Sequence, residues 1–219
     1  IFNQPLDSWD VSSVTSMMFM FANAYAFDQP LNSWNVNSVS TMTFMFYGTP
    51  FNQPLNSWVV SSVTNMNNMF AATTLFNQDI GGWDVSSVDN MSAMFNGATA
   101  FNGDVSMGWN IFNVTNMEEM FKDATSFNQD ISPWDIRNVT NFIDFMAGAT
   151  SFSTTNYDLL LNGWKGILLA YFPNPGDYTQ TISTTFASKY STSGSLSRVI
   201  LIDGKPDGFG WTIADEGID

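Results

Sequence analysis

The chain has 219 residues, 44% of them hydrophobic, and it contains neither cysteine nor histidine. That composition supports a buried core and excludes disulfide frameworks, thiol nucleophiles and histidine-based metal or acid–base sites. The net charge is −14 and no basic residue precedes Lys122, so the surface should repel nucleic-acid phosphates. No apolar run approaches the roughly 20 residues that span a bilayer, so we expect no direct membrane insertion.

A repeat of about 25 residues runs through the first two thirds of the chain. Phe recurs at positions 2, 27, 51, 76, 101, 127 and 152, and Trp recurs in step at 9, 34, 58, 83, 109 and 134. Columns of Val, of Met and of a second Phe follow the same spacing. A single unit of this kind cannot bury its apolar side alone, so the pattern predicts stacked repeats whose aligned side chains form the core.

Each repeat divides into two predicted pieces. In the first repeat Val14, Met17, Met20, Phe21 and Ala24 fall within an arc of about 120° on a helical wheel, which predicts a short amphipathic helix. The segment from Phe2 to Trp9 is too short for a helix and contains a proline, so we predict an extended strand there. Together these predict an α/β leucine-rich-repeat solenoid of about six strand–helix repeats with a parallel sheet, over residues 1–152.

Residues 153–219 lose the repeat and predict a small α/β cap over the end of the stack. We expect helices at Thr155–Leu169 and Ser195–Ile202, strands at Thr181–Ala187 and Trp211–Ala214, and a turn at Asp203–Gly208. No comparable cap precedes the first repeat, which opens at residue 2. We therefore expect that further chain precedes it.

The repeat pattern resembles that of the BspA-like leucine-rich-repeat surface proteins, most clearly in Phe76–Ala98 and Phe127–Ala149. The segments around Asn156–Asp158, Gly163–Trp164 and Gly210–Ile213 are similar to the cap of some bacterial members. The resemblance implies a secreted or surface-exposed protein that acts in adhesion or protein binding, and it implies no catalysis. Serine and threonine are common, but no histidine or suitably placed lysine could activate them. Paired carboxylates of the glycosidase type stay open, although a regular stack implies no cleft. We expect a protein that is not an enzyme.

Two sets of side chains are candidate sites for small groups. Asp79, Asp104 and Asp130 share one position of successive repeats, where neighbouring carboxylates would repel each other unless a cation such as Ca²⁺ bound them. The alternative is a solvated acidic face, and we expect no other cofactor. Three N-x-S/T sequons are candidate glycosylation sites. Their asparagines are Asn90, Asn113 and Asn138.

Two further sets are candidates for partner binding. The first comprises polar positions of the predicted strands, namely Asn52, Gln53, Asn77, Gln78 and Gln129. The second is Phe19 and Phe44, which fall outside the buried stripe of their repeats. The leading prediction is an extracellular or cell-surface module that binds a protein or glycan on another cell or matrix. The alternative is a structural subunit or spacer of an extracellular filament or surface layer, with self-association through the bare N-terminal end and the patch at Phe19 and Phe44.

Overall fold

The computed structural model describes residues 2–106, 108–178, 182–203 and 208–218. Within them the regular elements are, in chain order, β1 (Phe142–Met146), α1 (Thr154–Tyr171), a 3-10 turn (Pro175–Asp177), β2 (Ser183–Phe186), α2 (Thr192–Ile202) and β3 (Thr212–Ala214). The described repeats before β1 consist of turns, loops and isolated bridges. Neither α1 nor α2 has the length and apolar character that a membrane span requires.

The predicted leucine-rich-repeat solenoid of six strand–helix units is wrong. Both described helices lie after residue 153, and the sheet has three parallel strands in the order β1–β2–β3, only the first of which belongs to a repeat. The predicted helix from Val14 to Ala24 and the predicted strand from Phe2 to Trp9 are both absent. Successive repeats instead meet through one parallel bridge each, along the series Ser16, Thr41, Asn65, Asn90, Asn116 and Asn141.

The acceptors of the backbone N–H groups explain why no helix forms in the first repeat. In an α-helix every N–H donates to the carbonyl four residues back. Here alternate N–H groups of the first repeat, from Met17 to Asn23, donate to carbonyls of the second repeat over 2.7–3.0 Å. Between them, the N–H groups of Met20 and Ala22 donate three residues back within their own repeat, as Met20 does to Met17 at 3.2 Å, and the Met18 N–H donates to the Ser16 hydroxyl at 3.4 Å. Because half of the donors are used to join neighbouring repeats, the segment becomes a chain of tight turns.

Two left-handed positions in each repeat complete these turns. The first position has φ between 53° and 57° and is occupied by Phe19, Phe44, Asn68, Ala93, Glu119 and Asp144. The second has φ between 56° and 76° and is occupied by Asn23, Gly48, Ala72, Gly97, Asp123 and Gly148. A left-handed residue interrupts a right-handed helix, and the left-handed conformation costs most L-residues about 1–2 kcal/mol. Gly48, Gly97 and Gly148 are therefore turn residues.

The aligned aromatic side chains stack in the interior, as the periodicity predicts. Neighbouring rings of the first Phe column lie 5.8–6.4 Å apart with nearly parallel planes, from Phe2 to Phe152. The second Phe column packs against the first, and Phe70 and Phe76 are 4.0 Å apart. Trp58 and Trp83 stack at 6.4 Å and 6°. The five predicted stripe positions also face inward, so the hydrophobic pattern located the core although the backbone conformation differs.

Each interior tryptophan also ties its repeat to the preceding one. The indole Nε1–H of Trp83 donates to the carbonyl of Leu55 at 3.1 Å, and the indole of Trp34 donates to Leu6 at 2.9 Å. The indoles of Trp58, Trp109 and Trp134 donate the equivalent bond to a carbonyl of the preceding repeat. A buried indole N–H needs such a partner, so the bond fixes the register between repeats.

The C-terminal segments cover one end of the stack. β2 pairs with β1 of the last repeat, and β3 pairs with β2. The predicted helices and strands of this region are confirmed, with α1 and α2 each starting one to three residues earlier than predicted. Ser153 caps α1 by accepting the Asn156 N–H at 3.2 Å. Thr181, which opens the predicted strand, and residues 204–207 of the predicted turn lie outside the described residues.

A buried ion pair holds the cap together. The Arg198 guanidinium donates to the Asp215 carboxylate at 2.7 Å, and the side chain of Asp215 is only 3% exposed. The Tyr157 hydroxyl donates to the same carboxylate at 2.8 Å, and burial raises the pKa of this phenol. Breaking a buried pair by removing one partner costs far more than breaking a surface pair. This network therefore keeps α1, α2 and the last strand together over the end of the stack.

Candidate functional site

The predicted polar row is largely engaged in contacts between repeats. The side-chain oxygen of Asn52 accepts from the Asn77 backbone N–H and from the Gln78 side-chain amide, both at 2.9 Å. Asn77 in turn accepts the Asn102 backbone N–H at 2.9 Å. We call this series the amide ladder. Its members stabilise the stack from the outside, which sequence reasoning did not foresee.

The two other predicted members of the row differ in whether their side-chain amides are free to bind a partner. The Gln129 side-chain amide donates to Asn102 at 2.9 Å and so belongs to the amide ladder. Gln53 is half-buried and makes no side-chain hydrogen bond to a described residue. Of the predicted row, Gln53 therefore keeps its amide available for a partner.

The predicted acidic column consists of separate turn-capping groups. Each carboxylate accepts the backbone N–H two residues further on, at 2.8–3.0 Å, in Asp79, Asp104 and Asp130. The Ser106 hydroxyl and N–H hold the pKa of Asp104 below its usual value. No three acidic side chains of the described residues form a group that could hold a metal ion. The calcium hypothesis therefore stays a prediction without geometric support.

The sequon amides take part in the same stacking. The Asn113 side-chain nitrogen donates to the Ser86 carbonyl and that of Asn138 donates to the Phe112 carbonyl, both at 2.7 Å. Asn90 uses its side-chain oxygen to accept the Ser92 N–H at 2.9 Å. Because a glycan replaces one hydrogen of the side-chain nitrogen, glycosylation of Asn113 or Asn138 would leave a single N–H for the inter-repeat bond. Whether any of the three is modified stays a prediction.

Phe19, which is exposed, and Phe44, which is half-buried, form an aromatic pair on the outer face of the first two repeats. Their rings stack at 4.8 Å and 16°, and 54% of Phe19 is exposed. Tyr47 packs its edge against Phe44 at 5.4 Å, and Met18 beside Phe19 is 49% exposed. These side chains make a continuous apolar surface in a region without basic residues.

Both phenylalanines occupy a backbone position that disfavours them. Their φ values are 57° and 56°, in the left-handed region that bulky side chains rarely adopt. Later repeats carry asparagine, alanine or an acidic residue there. The turn conformation therefore does not explain a benzyl side chain at this position in the first two repeats, and burial does not explain the exposed Phe19 either.

An ion pair replaces the aromatic surface in the last repeats. Lys122 contacts Glu119 at 2.6 Å and Asp144 at 3.0 Å, and both acidic residues occupy the position equivalent to Phe19. The hydrogen bond that Lys122 donates to Glu119, followed by the one that it donates to Asp144, raises the pKa of Lys122. The outer face thus changes from apolar to ionic along the stack.

The N-terminal end of the stack is open and apolar. A cavity of about 310 Å³ lies there, lined by Phe2, Leu6, Trp9, Met20, Phe21 and Ala24. We call this surface the N-terminal end face. Trp9 is 55% exposed, whereas Trp34 in the next repeat is 3% exposed.

One family model matches the chain. Its description is "Mycoplasma protein of unknown function, DUF285", and the matches cover residues 1–74 and 49–159. Neither the curated proteins nor the solved structures contain a significant match to this sequence.

Proposed function

Because the chain belongs to the DUF285 family, whose description assigns no function, we propose its role from its own surface: a non-enzymatic protein-binding module outside the cell or at its surface. The resemblance of its repeats to BspA-like surface proteins supports this proposal. The strongly acidic composition supports it as well, because the surface repels nucleic acids and anionic membranes. The partner class is a protein or glycan on another cell or matrix.

The aromatic pair is the observation that carries this proposal. A left-handed phenylalanine costs about 1–2 kcal/mol, against a stacking energy of about 0.5–1.5 kcal/mol between the exposed ring of Phe19 and the half-buried ring of Phe44. Later repeats form the same turn with asparagine, alanine or an acidic residue, so the two phenylalanines point to a contact beyond the turn. An exposed ring stacked on a second ring is also suited to burying an apolar protein segment or the face of a sugar ring.

The underlying stack would supply rigidity. Neighbouring repeats are joined by backbone hydrogen bonds, tryptophan indole bonds and the amide ladder, so the backbone beneath Phe19 and Phe44 has few alternatives. A preformed surface loses little conformational entropy on binding, which favours affinity.

The test is a double substitution, Phe19→Asn with Phe44→Asn. Asparagine tolerates the left-handed region, so relief of strain offsets the lost stacking and stability should change by no more than about 1 kcal/mol. Binding of the labelled protein to an extracellular-matrix coating and to a glycan array should fall at least tenfold. Leu75→Asn is the matched control, because Leu75 is 55% exposed but stands apart from the pair. Equal binding by the double variant and the wild type would refute the assigned surface.

The second candidate function is a structural subunit of an extracellular filament or layer. The apolar patch at Met18, Phe19 and Phe44 would be its self-association surface. The cap over the C-terminal end of the stack argues for the binding module, since a growing filament needs two complementary faces. Sedimentation velocity separates the two functions: a monomer at micromolar concentration supports the module, and concentration-dependent chains support the structural subunit.

A further inference from the structure

The amide ladder includes one asparagine that is followed by glycine. Asn102 precedes Gly103, whereas Asn52 and Asn77 each precede a glutamine. The backbone nitrogen of the residue after an asparagine can attack the side-chain carbonyl carbon and close a five-membered ring. A glycine favours this reaction, because it has no side chain to crowd the ring and its backbone is free to rotate. Asn102 is therefore the ladder member with the chemistry for self-modification.

The sixth repeat polarises both carbonyl groups of Asn102. The side-chain Oδ1 accepts the Asn128 backbone N–H at 2.8 Å and the Gln129 side-chain amide at 2.9 Å. The same amide also donates to the backbone carbonyl of Asn102 at 2.9 Å. Donors on Oδ1 stabilise the negative charge that develops there during attack. A donor on the backbone carbonyl withdraws electrons from the adjoining peptide nitrogen, so the Gly103 N–H loses its proton more easily.

The nucleophile and the leaving group at Asn102 are not held by other bonds. Neither the Gly103 N–H nor the Asn102 side-chain nitrogen donates to any residue that the structure describes. Asn102 is exposed and Gly103 is half-buried, so solvent has access to the reacting groups. Ring closure here requires rotation within one residue and breaks no hydrogen bond of either group.

The chain contains two other Asn-Gly pairs, and both are held by hydrogen bonds. In Asn96–Gly97 the glycine N–H donates to the Lys122 carbonyl at 2.8 Å, and the asparagine side-chain nitrogen donates to Glu119 at 2.9 Å. Asn162–Gly163 lies inside α1, and its asparagine side-chain nitrogen donates to the Asp158 carbonyl at 2.8 Å. Ring closure at either pair must first break these bonds, so both pairs serve as internal comparisons.

We propose that Asn102 is a site of spontaneous deamidation that the amide ladder promotes. The Gly103 nitrogen bonds to Cγ of Asn102 as the Cγ–Nδ2 bond breaks, and the side-chain nitrogen leaves as ammonia with the proton from the Gly103 N–H. Water then adds to one of the two carbonyls of the resulting succinimide and gives aspartate or isoaspartate. The inference is independent of the proposed function, because no partner takes part in the reaction.

The two products differ in their effect on the stack. Each adds a negative charge, but aspartate keeps oxygens in place for the Asn128 and Gln129 donors. Isoaspartate lengthens the backbone by one methylene and displaces the acceptor from both donors. Isoaspartate at position 102 should therefore weaken the junction between the fifth and sixth repeats.

The experiment follows the three Asn-Gly pairs of the full chain in mildly alkaline buffer by peptide mapping with mass spectrometry. In the folded protein, loss of the Asn102 amide should be at least about tenfold faster than loss at Asn96 or Asn162. In urea the three pairs should react at rates within a few-fold of one another. The Asn102 rate should be at least as high in the folded chain as in urea, because the ladder promotes the reaction.

Two variants test the role of the ladder. Gln129→Met removes the amide donor at similar side-chain length and should slow the reaction of Asn102 at least about tenfold. Gln53→Gly should create a second reactive site at Asn52, whose Oδ1 also accepts two donors and whose following side chain makes no hydrogen bond to a described residue. Circular dichroism checks that both variants keep the fold.

Three results would overturn the inference. The first is an Asn102 rate that does not exceed those of Asn96 and Asn162 in the folded chain. The second is a slower reaction of Asn102 in the folded chain than in urea, which would mean that the ladder protects the amide. The third is an unreactive Asn52 in folded Gln53→Gly.

Discussion

The tryptophan column allows one substitution to be compared at an interior repeat and at the open end. Trp83→Phe removes the indole N–H that donates to Leu55 at 3.1 Å and leaves space beside Trp58. The Leu55 carbonyl keeps the Trp58 backbone N–H at 3.1 Å, so the lost bond should cost only about 1 kcal/mol. Three fewer buried heavy atoms add about 1–2 kcal/mol, at roughly 0.8 kcal/mol for each buried methylene.

The expected loss for Trp83→Phe is therefore about 2–3 kcal/mol in the free energy of unfolding. Urea denaturation followed by circular dichroism measures it as a lower midpoint with an unchanged slope. Trp9→Phe is the matched control: Trp9 is 55% exposed and its indole has no partner among the described residues, so the loss should stay within about 0.5 kcal/mol. Equal losses at both positions would refute the argument that inter-repeat bonds, and not the indole itself, supply the stability.

Two further predictions concern turn conformation and pH. Gly97→Ala should lower the free energy of unfolding by about 1 kcal/mol, because φ is +69° there. The new Cβ would make only ordinary contacts, so the backbone conformation is the cause. Ala72→Gly, at the equivalent position of another repeat with φ 56°, should raise the free energy of unfolding by about 0.5 kcal/mol. Thermal melts of both variants should shift in opposite directions, and shifts of the same sign would contradict the left-handed assignment. The hydrogen bond from Arg137 lowers the pKa of Asp135, so the pair stabilises the fold above the ordinary Asp pKa of 3.8 and is lost as pH falls through the depressed value. Asp135→Asn should therefore lower the melting temperature at pH 7 but much less at pH 2, and a pH-independent difference would exclude this linkage.

The cap was predictable because its elements carry strong local signals. α1 has an amphipathic pattern, a serine at its N-cap and Pro173 soon after its end, and it was predicted to within two residues at each end. The repeats have equally strong periodicity, but that periodicity predicted helices and strands where the structure has turns. Apolar residues at offsets 0, 3, 6, 7 and 10 line one side of a helix, and in this structure they also line one side of a chain of turns.

The candidate sites were also predictable only in part from the sequence. The sequence correctly predicted that Asn52 and Gln78 lie at the surface. Their side-chain amides bond to each other across neighbouring repeats, and this bond depends on the distance between repeats in the folded stack. The pairing of Phe19 with Phe44 follows from the same separation.

By itself, the amino-acid sequence determined the period of the repeat, the side chains that enter the core and the segment that closes the stack. These depend on hydrophobic spacing, which any conformation that stacks the repeats must satisfy. Only the tertiary structure decided the backbone path, because each N–H could bond within its own repeat or to the next one. Left-handed residues such as Phe19 and Glu119 carry no local signal, and the bonds between repeats are what hold them in that conformation.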